Sequence, residues 1–138
     1  MKIVERVRIG AGPARVWEVL ADVERWPRWT PTVTSVESLN GSGLRVGARY
    51  RVRQPKLRPA VYEVAACEPL REFTWATKLP GVRMTAVHRL AGAGDGTGVE
   101  LSFETAGLLG ALVGRMYGKL IAEYVATEAR SLKAACER

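Results

Sequence analysis

The 138-residue sequence contains one histidine, His88, and two cysteines, Cys67 and Cys136, far apart in the chain. A structural zinc site needs about four such ligands at close spacing, so none is expected. The unpaired, widely separated cysteines also point to a reducing, cytoplasmic compartment. The apolar run Leu108 to Val113 is far too short to cross a bilayer, which takes about 20 residues. No integral membrane segment is expected, and Glu5, Arg6 and Arg8 interrupt any secretory apolar stretch near the start. Ser-His-Asp patterning, a nucleophile elbow, a phosphate-cradling glycine loop and GxGxxG are all missing. So is an inward-facing pair of acids of the glycosidase kind. Neither repeats nor low-complexity tracts interrupt the chain. Its length suits one domain, residues 1–138, able to bury a sizeable core.

Acidic residues are outnumbered: 14 against 21 basic, for a net charge of +7, with 16 arginines and five lysines. Such a balance raises nucleic acid or a membrane surface as partners. Strand alternation argues for an ordinary solvated face instead. Arg51 and Arg53 are expected opposite Glu63, and Arg83 and Arg89 opposite Glu100 and Glu104, so the basic strand face is locally neutralised. No nucleic-acid partner is expected.

Proline is absent from Leu108 to Cys136, and this stretch reads as one helix of about eight turns, roughly 43 Å long. Leu109, Val113, Met116, Leu120 and Tyr124 fall within about one quadrant of its wheel, with Tyr117 at the edge. Upstream, Lys2 to Ile9 alternates as a strand. Gly12-Pro13 opens a helix that carries Val16, Trp17, Val19, Leu20 and Val23. Pro27 and Pro31 break the helical pattern, so Asp22 to Thr30 reads as a short second helix or an irregular turn. Period-two patterning then marks strands at Thr32–Leu39, Gly47–Gln54, Ala60–Cys67, Glu72–Thr77, Val82–Leu90 and Val99–Thr105. Turns are expected at Asn40-Gly41-Ser42-Gly43, at Pro80-Gly81 and across the glycine-rich segment Gly92 to Gly98, a hairpin loop that is the one internal stretch where order is in doubt. The fold class is therefore α+β. About seven antiparallel strands should be covered by the long C-terminal helix, with two short helical pieces after strand one.

Particular residues sharpen this order of elements. They are Val16-Trp17-Glu18-Val19-Leu20-Ala21-Asp22, the Trp26-Pro27-Arg28-Trp29 turn, Val36-Glu37, and Gly47 before the basic strand. Tyr62-Glu63-Val64, Pro69, Trp75, Val87-His88-Arg89-Leu90, Gly96-Thr97 and Glu104 before Gly107 continue the pattern. With them the chain resembles the helix-grip fold of the SRPBCC superfamily (START and Bet v 1-like domains). Within that superfamily it looks like the polyketide cyclase/dehydrase and lipid-transport group. The resemblance implies a curved sheet gripping the long helix, and an elongated cavity between them for an apolar or aromatic small molecule. It requires no cofactor and leaves a homodimer open.

The inward parities nominate the residues for such a cavity. On the strands they are Tyr50, Val52, Gln54, Tyr62, Trp75, Met84 and Phe103; on the helix, Val113, Met116, Tyr117, Leu120 and Tyr124. Tyrosines supply apolar walls with a hydroxyl that can polarise a carbonyl. His88, on the Met84–Ala86 parity, is the candidate general acid/base; the alternative is a hydrogen-bonded core histidine. Glu128, at the edge of the apolar helix face, is a minor candidate. Trp17, Trp26 and Trp29 are expected to pack the helical segment on the sheet, with Trp29 closest to a cavity rim. Two functions remain open: a carrier or sensor for a hydrophobic molecule, and a cofactor-independent cyclase or dehydratase that uses His88 on a polyketide-like substrate.

Overall fold

The computed structural model describes residues 1–41 and 43–138. Strand β1 (Lys2–Ile9) is followed by helix α1 (Pro13–Ala21) and a 3-10 helix (Val23–Arg28). Strands β2 (Ser35–Ser38), β3 (Arg49–Arg53), β4 (Ala60–Glu68), β5 (Glu72–Leu79), β6 (Val82–Ala93) and β7 (Gly96–Ala106) come next, and helix α2 (Gly110–Cys136) closes the chain. The seven strands form one antiparallel sheet in the order β1-β7-β6-β5-β4-β3-β2. Its curved concave face holds α2, which is the helix-grip arrangement that the resemblance implies.

Local differences from the sequence reading have physical causes. The first strand after the helices covers only Ser35–Ser38 rather than Thr32–Leu39. Pro31 lies between two buried threonines whose hydroxyls bond each other at 2.8 Å, which holds this stretch as a turn. Gly92 to Gly98 is no loop: the β6–β7 ladder continues to Ala93↔Gly96 and leaves only Gly94 and Asp95 at the bend. Arg8 of the neighbouring strand clasps that end, with Nη2 3.1 Å from both Ala93 O and Asp95 Oδ1. Ser42, in the expected 40–43 turn, lies outside the described residues. Helix α2 begins at Gly110, not Leu108: the chain turns at Gly107, φ +100°, and Leu109 caps the helix with its N–H donating to Gly81 O at 2.8 Å.

The charged strand faces are partnered: Arg89 stands opposite Glu100 as expected, while the other pairs differ. Glu37 on β2 takes Arg51 and Arg53 at 3.6 and 3.9 Å. Arg89 pairs with Glu72 at 2.9 Å, and Arg6 takes Glu100 at 3.0 Å. Glu63 stands opposite Arg49 in the ladder. Arg83 has no ion pair among the described residues.

The tightly packed core lies at the end of the sheet nearest α1. There Ile9, Val16, Leu20, Phe73 and Leu132 are fully enclosed. Lys133 Nζ donates to Arg8 O at 3.1 Å and Glu137 accepts the Gly10 N–H at 2.6 Å, so the C-terminal turns of α2 are fastened to the end of β1. At the opposite end the helix leaves the sheet uncovered, and a cavity opens between them.

Candidate functional site

A cavity of about 450 Å3 separates the sheet from the N-terminal two-thirds of α2. On β6, Met84, Ala86 and His88 point into it in succession; alternation places every second side chain there. The helix contributes Val113, Tyr117, Ile121, Tyr124, Val125 and Glu128. Both elements run from the open end toward the core, so His88 and Glu128 come together at the deep end. The floor is completed by Tyr62, Trp75, Leu101 and Phe103, and the inner wall by Trp26 and Val33. The mouth is framed by two turns, Leu57–Pro59 and Leu79–Pro80, and by Val113 and Tyr117. Tyr124 spans this opening, its hydroxyl donating to Pro55 O.

The deep end is aromatic. The His88 ring stacks on Phe73 at a centroid distance of 4.1 Å and meets the edge of Trp26 at 5.5 Å. Trp26 is itself held by Nε1–H donating to Leu20 O at 2.9 Å. His88 is 3% exposed, and its Nδ1 is 3.2 Å from Phe73 O. A carbonyl only accepts, so Nδ1 carries the proton and Nε2 keeps its lone pair. That lone pair faces Glu128, whose Oε1 lies 3.7 Å away. This is outside direct hydrogen-bond range but close enough for a ligand atom to engage both groups.

Burial decides the protonation of the pair. Desolvation carries the His88 imidazole down to about 4, against a smaller upward effect of the Phe73 carbonyl. Desolvation also pushes the Glu128 carboxyl up to about 8. At pH 7 the site therefore holds a neutral imidazole and a protonated carboxylic acid. Tyr62 is pushed up to about 12, first by burial and then by the neighbouring Glu128, so its hydroxyl also stays protonated. The deep end offers two O–H donors and one nitrogen acceptor inside an apolar, aromatic chamber, with no net charge.

Most residues nominated by parity line this space: Val52, Gln54, Tyr62, Trp75, Met84, His88, Phe103, Val113, Tyr117 and Tyr124. Gln54 is tied down, its Nε2 donating to Thr32 O at 3.2 Å. Three nominated residues lie outside the lining. Tyr50 is buried behind Trp75, ring centroids 5.9 Å apart, with its hydroxyl on Gly43 O. Met116 is 65% exposed and Leu120 is half-buried on the outer flank of α2. The covered face of the helix runs instead through Ile121, Val125, Glu128 and Leu132, well round the wheel from Met116. Among the tryptophans of the helical segment, Trp26 rather than Trp29 reaches the cavity.

The family profile described as polyketide cyclase / dehydrase and lipid transport matches residues 1–137. The chain belongs to this family. Solved structures share the fold of this family member from end to end. A protein from Thermus thermophilus is 21% identical, with 99% of this chain and 97% of that chain covered and a TM-score of 0.79. A hypothetical protein from Helicobacter pylori is 12% identical, with 100% and 88% covered and a TM-score of 0.85. Major latex-like protein 151 from Panax ginseng is 14% identical, with 100% and 98% covered and a TM-score of 0.80. At these identities the likeness establishes the fold alone, the helix-grip arrangement. No curated protein matches the sequence at a significant level.

For this family member the sequence reading left Glu128 without a role and His88 without a partner. The signal that joins them is the helical series Ile121, Val125, Glu128 and Leu132, at spacings of four, three and four. A lone acid in that series is buried with its apolar neighbours. Ranking the wheel by bulk favoured Met116 and Leu120 instead.

Proposed function

We propose that the protein binds an apolar or aromatic small molecule between sheet and helix, oriented by one carbonyl or hydroxyl at the deep end. The carrying observation is the apolar chamber of about 450 Å3 that ends in the uncharged Tyr62–His88–Glu128 cluster. Its volume is that of a small-molecule site, and a few convergent polar groups in an apolar wall give orientation. The rings of Trp26, Trp75 and His88 that line the inner end favour a planar ligand there. Two free thiols, Cys67 and Cys136, fit the cytoplasmic location that forms part of this reading.

The test is native mass spectrometry of protein purified from its own host, with release and identification of any bound mass. A retained, unmodified hydrophobic metabolite is the expected result. Protein that is empty as isolated, and that binds no member of a panel of planar aromatic ketones and phenols, would overturn the reading.

One observation favours a second reading, a cyclase or dehydratase. The Nε2 lone pair of His88 and the protonated carboxyl of Glu128 face each other at 3.7 Å, a base and an acid at one point. His88 would take a proton from an activated carbon while Glu128 or Tyr62 donates to the developing enolate oxygen. On a polyketide-like substrate, His88→Ala should abolish turnover and leave substrate binding in place. Retained turnover would remove His88 from that mechanism.

A further inference from the structure

The mouth of the cavity carries an apolar surface with nothing over it. Leu108 is 97% exposed, and Leu109, Leu112 and Met116 are exposed beside it on the first turns of α2. Leu79 continues the surface on the β5–β6 turn, which is joined to the helix start through Gly81 O and the Leu109 N–H. Leu112 and Met116 are four residues apart and so occupy one stripe of the helix. Tyr117 and Leu79 belong both to this surface and to the cavity lining, which makes the patch the rim of the opening.

The charges along the helix start have one sign. No acidic residue occurs between Glu104 and Glu123. Arg115 and Lys119 flank the Leu112–Met116 stripe at helical spacing, and Arg58 lines the opening from the opposite turn. Lys78 and Arg83 stand directly opposite each other in the β5–β6 ladder. Like charges so placed repel, and an external anion would relieve that repulsion. None of these five cations has an ion pair among the described residues, whereas Arg6, Arg51, Arg53 and Arg89 on the strand faces all do.

We propose that this rim docks on the surface of a lipid bilayer containing anionic lipids, with Leu108, Leu112 and Met116 entering the headgroup region and Arg115, Lys119, Lys78 and Arg83 meeting lipid phosphates. Exposed apolar side chains on a helix ringed by cations have the chemistry of interfacial binding, in which burial of side chains and attraction to anionic headgroups add together. The cavity then opens directly onto the bilayer, so a hydrophobic ligand passes between membrane and protein without crossing water. Docking does not depend on which molecule fills the cavity, so it stands or falls separately from the ligand reading.

The experiment is sedimentation of the purified protein with vesicles of phosphatidylcholine alone, or with about one-third phosphatidylglycerol, at low and physiological salt. Binding only to the anionic vesicles, weakened by salt, is expected. Arg115→Glu/Lys119→Glu and Leu112→Ser/Met116→Ser should each weaken it by about tenfold or more. Both variants change exposed side chains, and circular dichroism confirms that they fold. Arg28→Glu/Arg49→Glu alters net charge equally, away from the rim, and should have little effect. No binding to anionic vesicles at low salt would overturn the proposal, as would equal losses in the rim and distant charge variants. A dimer in sedimentation velocity that Leu112→Ser/Met116→Ser dissociates, without vesicle binding, would assign the face to a second copy of the chain and also overturn it.

Discussion

Glu128 and His88 exchange their usual protonation states on folding, and the exchange is measurable. Unfolded, the carboxyl titrates near 4.5 and the imidazole near 6.5; folded, they titrate near 8 and 4. Between pH 4.5 and 6.5 each state holds one proton, on the carboxyl when folded and on the imidazole when unfolded, so the pair leaves stability level. Between 6.5 and 8 only the folded state keeps its proton. Stability must therefore fall as pH rises, by up to roughly 1.4 kcal/mol per pH unit. Urea unfolding across this range should show the fall, and Glu128→Gln should remove it. In that variant the lowered imidazole acts alone, and stability should climb from pH 4 to 6.5. A wild-type profile level from 6.5 to 8 would mean that Glu128 is ionised in the folded protein. Alternation placed His88 inward, but the protonation of the pair was not legible, because desolvation depends on the surfaces that α2 and the sheet jointly enclose.

Elements also meet closely where the β5–β6 turn touches the start of α2. Gly107 has φ +100°, and a Cβ there would stand 2.6 Å from Gly81 O. Gly107→Ala should destabilise the protein by about 2 kcal/mol through both strain and clash, read as a lower urea midpoint with unchanged slope. At the other side of the mouth, Tyr124 ties α2 to the β3–β4 turn at Pro55. Tyr124→Phe removes one hydrogen bond, worth about 1 kcal/mol. Stopped-flow fluorescence should then show ligand entering and leaving about fivefold faster, with affinity nearly unchanged; unchanged rates would mean that this tie does not gate the opening. Sequence reading succeeded for these elements where the pattern was strong, as in Lys2–Ile9 and Val82–Leu90, whose alternation is nearly unbroken. It failed where partners outside the element decide the outcome. Arg8 extends the glycine-rich hairpin to its tip. The helix phase is likewise set by close-packed small residues, Gly110, Ala129 and Ala135, which carry little weight in a reading by bulk.

The molecule as a whole divides into a densely packed end and a hollow end along one helix, so stability and binding draw on different halves of the chain. Filling the hollow should separate them. Ala86→Phe places a ring midway along the cavity floor, where free volume accepts it. Thermal stability of the ligand-free protein should hold or rise by about 1 kcal/mol, while affinity for the native ligand drops tenfold or more. A variant that loses stability instead would mean that the chamber is closed up in solution. The shared direction of β6 and α2 has one more consequence. Because Met84, Ala86 and His88 descend in equal steps of roughly 6.6 Å, the advance of two strand residues, the strand is graduated like a ruler. Bulk added at one mark sets the longest molecule that can be admitted. A homologous series of alkyl phenyl ketones, held by the carbonyl at the deep end and titrated against Met84→Trp and Ala86→Phe, should thus show two cut-offs in chain length, the shorter one for Ala86→Phe, the change nearer the deep end.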